Sequence, residues 1–133
     1  MNLHRFAVLT AAATLFLLFV GGLVTTTASG DSVPDWWFLP ISFGKFLPPM
    51  VGEVFYEHGH RLVAGTVGLL TIGLAVFLWM RDPRPWARKL GVAAVGAVCA
   101  QGILGGLRVH HVADPHVIAI IHACFAQVFF GLV

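Results

Sequence analysis

At 133 residues, with 58% of them apolar, 11% charged and a mean hydropathy of +0.87, the chain cannot be a water-soluble domain. That balance would aggregate in water, and the lipid bilayer is its natural solvent. The formal charge is only +2 and its basic residues are scattered, which excludes a nucleic-acid surface.

A span needs about 20 mostly apolar residues to cross a hydrocarbon core about 30 Å thick, so the length holds four spans and little else. The expected fold is all-α: one polytopic membrane four-helix bundle. The first span is expected over about residues 6–28, after Arg5 and ending in the small-residue run Thr25 to Gly30. It exceeds the roughly 7–15 apolar residues of a cleaved signal and is read as a retained helix. The following segment, to about Glu53, is rich in Pro and Gly. With Trp36, Trp37 and Phe38 it reads as a loop resting at the membrane interface, where amphipathic rings favour headgroup depth.

The second span is expected over about 54–80 and the third over about 90–109. Between them Arg81, Arg84, Arg88 and Lys89 face a single acid, Asp82, which the positive-inside rule assigns to the cytoplasm. The N-terminus is then inside, and the loops around 30–53 and 110–116 are outside. Asp114-Pro115 suits a helix start, and the fourth span runs over about 116–133, roughly 27 Å at 1.5 Å per residue. It stops without a polar flank, so the chain reads as the first part of a longer protein. Cys99 and Cys124 lie inside apolar segments and are expected as free, buried thiols.

Ionisable groups within spans are costly and default to a functional reading. Glu57, His60 and Arg61, at i, i+3 and i+4, share one face of the second helix. His122 lies in the fourth helix, which runs in the same direction as the second. His60 and His122 therefore fall at one depth, roughly 9 Å below the outer surface, where two imidazoles could ligate one haem iron axially. The alternatives are an ordinary Glu57–Arg61 ion pair and histidines satisfied by interhelical hydrogen bonds. A di-iron centre is excluded, because the chain has six acids and only Glu57 sits well inside a span. Zinc lacks a third and fourth ligand.

In the third helix Gly102 and Gly106 have small-xxx-small spacing, which lets a backbone or a flat macrocycle approach, or simply packs helices. Arg108 lies near the depth of His60 and either pairs with a haem propionate or snorkels to headgroups. His110, His111 and His116 border the surface and are not expected to be ligands. Gln127 reads as a helix-packing amide.

Phe55-Tyr56-Glu57-His58-Gly59-His60-Arg61, Gln101-Gly102-Ile103-Leu104-Gly105-Gly106 and Ile121-His122-Ala123-Cys124-Phe125-Ala126-Gln127 resemble the N-terminal half of haem A synthase, the cytochrome oxidase assembly enzyme. The resemblance implies eight helices in two similar bundles, of which this chain is the first. It implies oxidation of the C8 methyl of haem O to the formyl group of haem A, through hydroxylated intermediates. On it, Glu57 is the catalytic carboxylate and His60 and His122 hold the iron of haem O, the substrate. Arg61, Gly105, Gly106 and Arg108 are expected around the same haem. A haem b cofactor is expected in the absent second half. The cysteine pair that some members carry in the first outer loop has no counterpart here, so no redox role is expected of that loop. The expected setting is the bacterial plasma membrane, with the haem site toward the outer side. Expected partners, besides lipid, are haem O synthase, cytochrome oxidase subunits or a second copy of the chain. Two other readings stay open: a bis-histidine b-type cytochrome bundle for electron transfer, and an assembly partner that holds no haem.

Overall fold

The computed structural model describes residues 2–35, 40–110 and 114–133. Trp36, Trp37, Phe38 and His111, and the interfacial reading of that aromatic cluster, lie outside the described residues. Four helices follow in chain order: α1 (Leu3–Thr26), α2 (Glu53–Arg81), α3 (Pro85–Val109) and α4 (Pro115–Leu132). Each is long and apolar enough to span a bilayer. In hydrocarbon only a helix or a closed barrel satisfies every backbone group internally, which is why continuous helices of 24, 29, 25 and 18 residues form here. Polar side chains on them pair with their own backbone: the Thr10 hydroxyl donates to the Phe6 carbonyl at 2.9 Å and Thr14 to Thr10 at 2.8 Å.

The expected boundaries hold except at α3, which begins five residues before the expected position 90. The α2–α3 connection shrinks to Asp82-Pro83-Arg84. Proline at the first position of α3 is already set for a helix and has no N–H to leave unpaired, so Trp86 to Lys89 join the helix. α4 starts as expected, with the Asp114 side chain accepting from the His116 N–H at 2.8 Å.

Consecutive helices pack as antiparallel neighbours. Phe6 of α1 meets Phe77 of α2 edge-on at 5.2 Å, whereas Gly21, farther along α1, lies against His60 near the start of α2. α1 packs on α2, α2 on α3 and α3 on α4, and α4 closes loosely on α1. α2 and α4 are diagonal, with no Cα atoms within 8 Å of one another among the described residues. The end that carries residues 27–52 is termed the upper end, and the Asp82–Arg84 turn marks the lower.

A dry core of Val67, Ala94, Ala97 and Phe129, backed by Ala13, Leu17 and Phe125, closes the middle and lower part of the bundle. Many large apolar side chains are exposed and few are buried; Phe16, Phe19, Leu69 and Ile120 are among those that point outward, as a lipid-facing surface requires. The cysteines correct an expectation: Cys99 and Cys124 are free but exposed. In a membrane protein an apolar segment faces out as readily as in. Gln127 likewise is exposed and has no hydrogen-bond partner among the described residues, so it is not an amide that packs helices.

Candidate functional site

The first turns of α2 divide their polar residues between two tasks. Glu57, 4% exposed, accepts from Arg61 Nη2 at 2.7 Å on one oxygen. Its other oxygen accepts from the Ser32 hydroxyl and the Val33 N–H, both at 2.9 Å. Arg61 also donates to the carbonyls of Val33, Asp35 and Ile41. Of the roles open to Arg61, the structure thus shows the ion pair with Glu57, reinforced by loop carbonyls.

His58, which sequence reasoning passed over, is fully buried and completes the clasp. Its Nε2 lies 2.9 Å from the Phe46 carbonyl, an acceptor only, so Nε2 carries the proton and Nδ1 accepts from the Ser42 hydroxyl at 2.7 Å. Three residues of one helical turn therefore tie down the described part of the 27–52 segment. Nothing local could have signalled this, because the partners of His58 lie 12 and 16 residues earlier in the chain.

His60 faces elsewhere. Its ring rests on α1 at Gly21, where a Cβ would come within 3.2 Å of His60 Cε1, so only glycine admits the imidazole at that spacing. His122 stands on the diagonal helix, with room at Gly105 of α3, where a Cβ would be 3.8 Å from His122 Cε1. Each histidine sits seven residues past the first residue of its helix, about 10 Å along it. His60 lies within electrostatic range of His122, Arg61 and Arg108, so the two imidazoles share one region of the upper bundle.

That region holds polar atoms with nothing to bind. His60 Nδ1, His122 Nδ1, Gln101 Oε1 and Arg108 Nε are all buried without a hydrogen-bond partner among the described residues. Nearly all buried polar groups in native proteins are paired, so four orphans in one region mark a place built for something else. Arg108 is half-buried and reaches toward the upper segment. Its guanidinium is turned onto Gly30, at contact so close that any Cβ there would collide with it. It makes no hydrogen bond among the described residues. Gln101 donates its amide N–H to the His122 carbonyl at 3.1 Å. Gly106 is buried in α3, whereas Gly102 meets open space.

Among the described residues no three His, Cys, Asp or Glu side chains gather into a metal cluster. A haem iron needs fewer protein ligands, two axial imidazoles, because the macrocycle supplies the rest. Two imidazoles with unpaired Nδ1 atoms on diagonal helices and a guanidinium without a hydrogen bond among the described residues fit such a group. A groove of about 300 Å³ at the lower end, bordered by His4, Leu74, Asp82 and Leu132, lies away from these residues.

The family model described as cytochrome oxidase assembly protein matches residues 47–133, a stretch that contains α2, α3 and α4. The "Heme A synthase" of Shouchella clausii is 40% identical over 106 residues, covering 78% of this chain and 35% of its own length. That of Alkalihalophilus pseudofirmus is 37% identical over 111 residues, with the same coverage of each chain, 78% and 35%. That of Symbiobacterium thermophilum is 32% identical over 122 residues, covering 90% of this chain and 38% of its own length. The chain thus spans about a third of the length of these curated relatives. No solved structure matches it. With the family model covering well over half of its residues, this integral membrane chain belongs to the cytochrome oxidase assembly protein family, in which its curated relatives are heme A synthases.

Proposed function

We propose that this chain forms the haem O-binding bundle of a membrane oxidoreductase of the haem A synthase type, which converts the C8 methyl of haem O to the formyl group of haem A. The observation that carries the proposal is the pair of half-buried imidazoles, His60 and His122, on diagonal helices, whose Nδ1 atoms are buried and unpartnered among the described residues. When bound, the haem iron supplies the oxidising chemistry. The chain's own residues bind, orient and exclude water.

His60 and His122 would hold the iron through their imidazoles. Arg108, an unpaired fork of N–H donors, takes an anionic edge of the macrocycle, as guanidinium does for carboxylates. Gly105 and Gly106 give the flat ring room beside α3. Glu57, three residues from His60, is proposed as the catalytic carboxylate. The Ser32 hydroxyl, the Val33 N–H and Arg61 hold its negative charge in place. A fixed carboxylate at the ring edge stabilises positive charge developing at the reacting carbon, or accepts a proton from it. Arg61 acts through Glu57 and the segment above it. The basic lower turn supports placing the site in the outer half of a bacterial plasma membrane. The remaining length of the relatives is proposed to supply a second bundle with a haem b.

Glu57→Ala should abolish haem A formation in cells that depend on this protein, while the purified variant still binds haem. Glu57→Gln, which keeps the shape, should do the same. Normal haem A production by both variants would remove Glu57 from the chemistry. The same imidazole pair also fits a b-type cytochrome that only carries electrons. Acid extraction of the pigment decides, because that reading predicts haem b with neither haem O nor haem A.

A further inference from the structure

Two of the orphaned atoms sit on the same residue pair. Gln101 is anchored through its amide N–H on the backbone carbonyl of His122, and this bond fixes which end of the amide is oxygen. The anchored amide leaves Oε1 buried and unpaired beside a residue whose own Nδ1 is also buried and unpaired. One is an acceptor, and the other becomes a donor once Nε2 is used as a ligand. His60 has no such neighbour: its Nδ1 side lies on the bare backbone of Gly21.

We propose that Gln101 is the positioning residue of His122, its Oε1 accepting the His122 Nδ1–H directly or through one bridging water, and that His60 is the weaker, exchangeable axial ligand. A histidine that ligates a metal donates its other ring N–H to an acceptor that fixes its tautomer and raises its basicity, and loss of that acceptor costs about 10–100-fold in affinity. In this arrangement Gln101 would supply that acceptor to His122, and no side chain among the described residues is placed to supply one to His60. The site is therefore asymmetric. The coordination position on the His60 side is the one that can open to a small molecule, while the haem stays held through His122 and Arg108. This inference rests on the proposed haem site and adds a rank order to its two ligands.

The test is a cycle of variants in the full chain, in detergent, titrated with hemin and followed by the Soret band. His122→Ala should weaken hemin binding at least 10-fold more than His60→Ala. Gln101→Leu should weaken binding at least 10-fold in the His60→Ala background, where His122 is the sole ligand. In the His122→Ala background it should change binding less than 2-fold. Gln101→Asn, which keeps the amide on a shorter stem, should recover part of the loss if a water bridges. A merely structural Gln101 would weaken both backgrounds alike. Equal losses in the two backgrounds, or equal losses from the two alanine variants, overturn the inference while leaving the haem site standing. Wild-type chain that shows no six-coordinate Soret spectrum with hemin overturns the haem site and this inference together.

Discussion

The two ends of the bundle treat their polar groups in opposite ways. At the lower end every charge of the tight turn is used. Arg84 grips Asp82 as a fork, Nε to one carboxylate oxygen at 2.9 Å and Nη2 to the other at 2.6 Å. The Arg84 N–H caps the same carboxylate at 2.9 Å, and Arg88 donates to the Asp82 carbonyl at 2.8 Å. At the upper end the clasp of Glu57, His58 and Arg61 is just as saturated, yet within the same turn His60 Nδ1 is left without a partner among the described residues, as are His122 Nδ1, Gln101 Oε1 and Arg108 Nε. A saturated polar group is held in place, which ties down the segment above at His58 and Arg61 and orients the carboxylate of Glu57. An unsatisfied buried one is an expense that a fold retains where a ligand will answer it, and the contrast separates held from open polar groups within a single heptapeptide, Phe55 to Arg61.

The largest effect should come from the orphans. Replacing His60 and His122 together by alanine removes both axial ligands and should lower hemin affinity more than ~100-fold in a Soret titration, with the helical circular dichroism unchanged. Arg108→Leu should follow, with a loss of about 10-fold or more for hemin, the worth of one charge-assisted hydrogen bond. Hemin dimethyl ester, which has no carboxylates, should bind wild type and variant equally. An equal loss for both pigments would place Arg108 outside the anion site.

Breaking the clasp should do something different. His58→Ala removes the partner of the Phe46 carbonyl and leaves the buried Ser42 hydroxyl unpaired, and should destabilise the 27–52 segment by about 1–3 kcal/mol. Limited proteolysis should then cut that segment faster, and the wavelength of the hemin spectrum should stay put. A shifted spectrum with an intact segment would move His58 into the site.

The smallest effect belongs to the lower turn. The fork from Arg84, with its backbone N–H, pulls the Asp82 carboxyl down to about 2 from an ordinary 3.8. A depressed carboxylate lends the turn stability at pH values above its ordinary range, and this is lost only as pH falls through about 2. Carboxyl NMR of Asp82 should show a midpoint near 2, and a midpoint near 4 would mean that the fork is open in solution.

How much of this was legible in the sequence follows from what each feature depends on. Span number and the depth of His60 and His122 follow from hydropathy and a fixed helical rise, so both could be read directly. The start of α3 was placed too late because Trp86, Arg88 and Lys89 read as loop, although proline at the first helical position needs no earlier partner. The cysteines were misplaced because burial and apolarity, tied together in water, come apart in lipid. Gln101 stood within a glycine motif and His58 within the α2 motif, but their roles depend on α4 and on the 27–52 segment. Such long-range partners leave no local pattern.

The most direct test of the central claim is the low-temperature electron paramagnetic resonance spectrum of the hemin-saturated chain. The account predicts a single low-spin ferric signal with two axial imidazoles, converted to high spin by either His60→Ala or His122→Ala. A high-spin wild type, or a low-spin signal that survives in both variants, would contradict it.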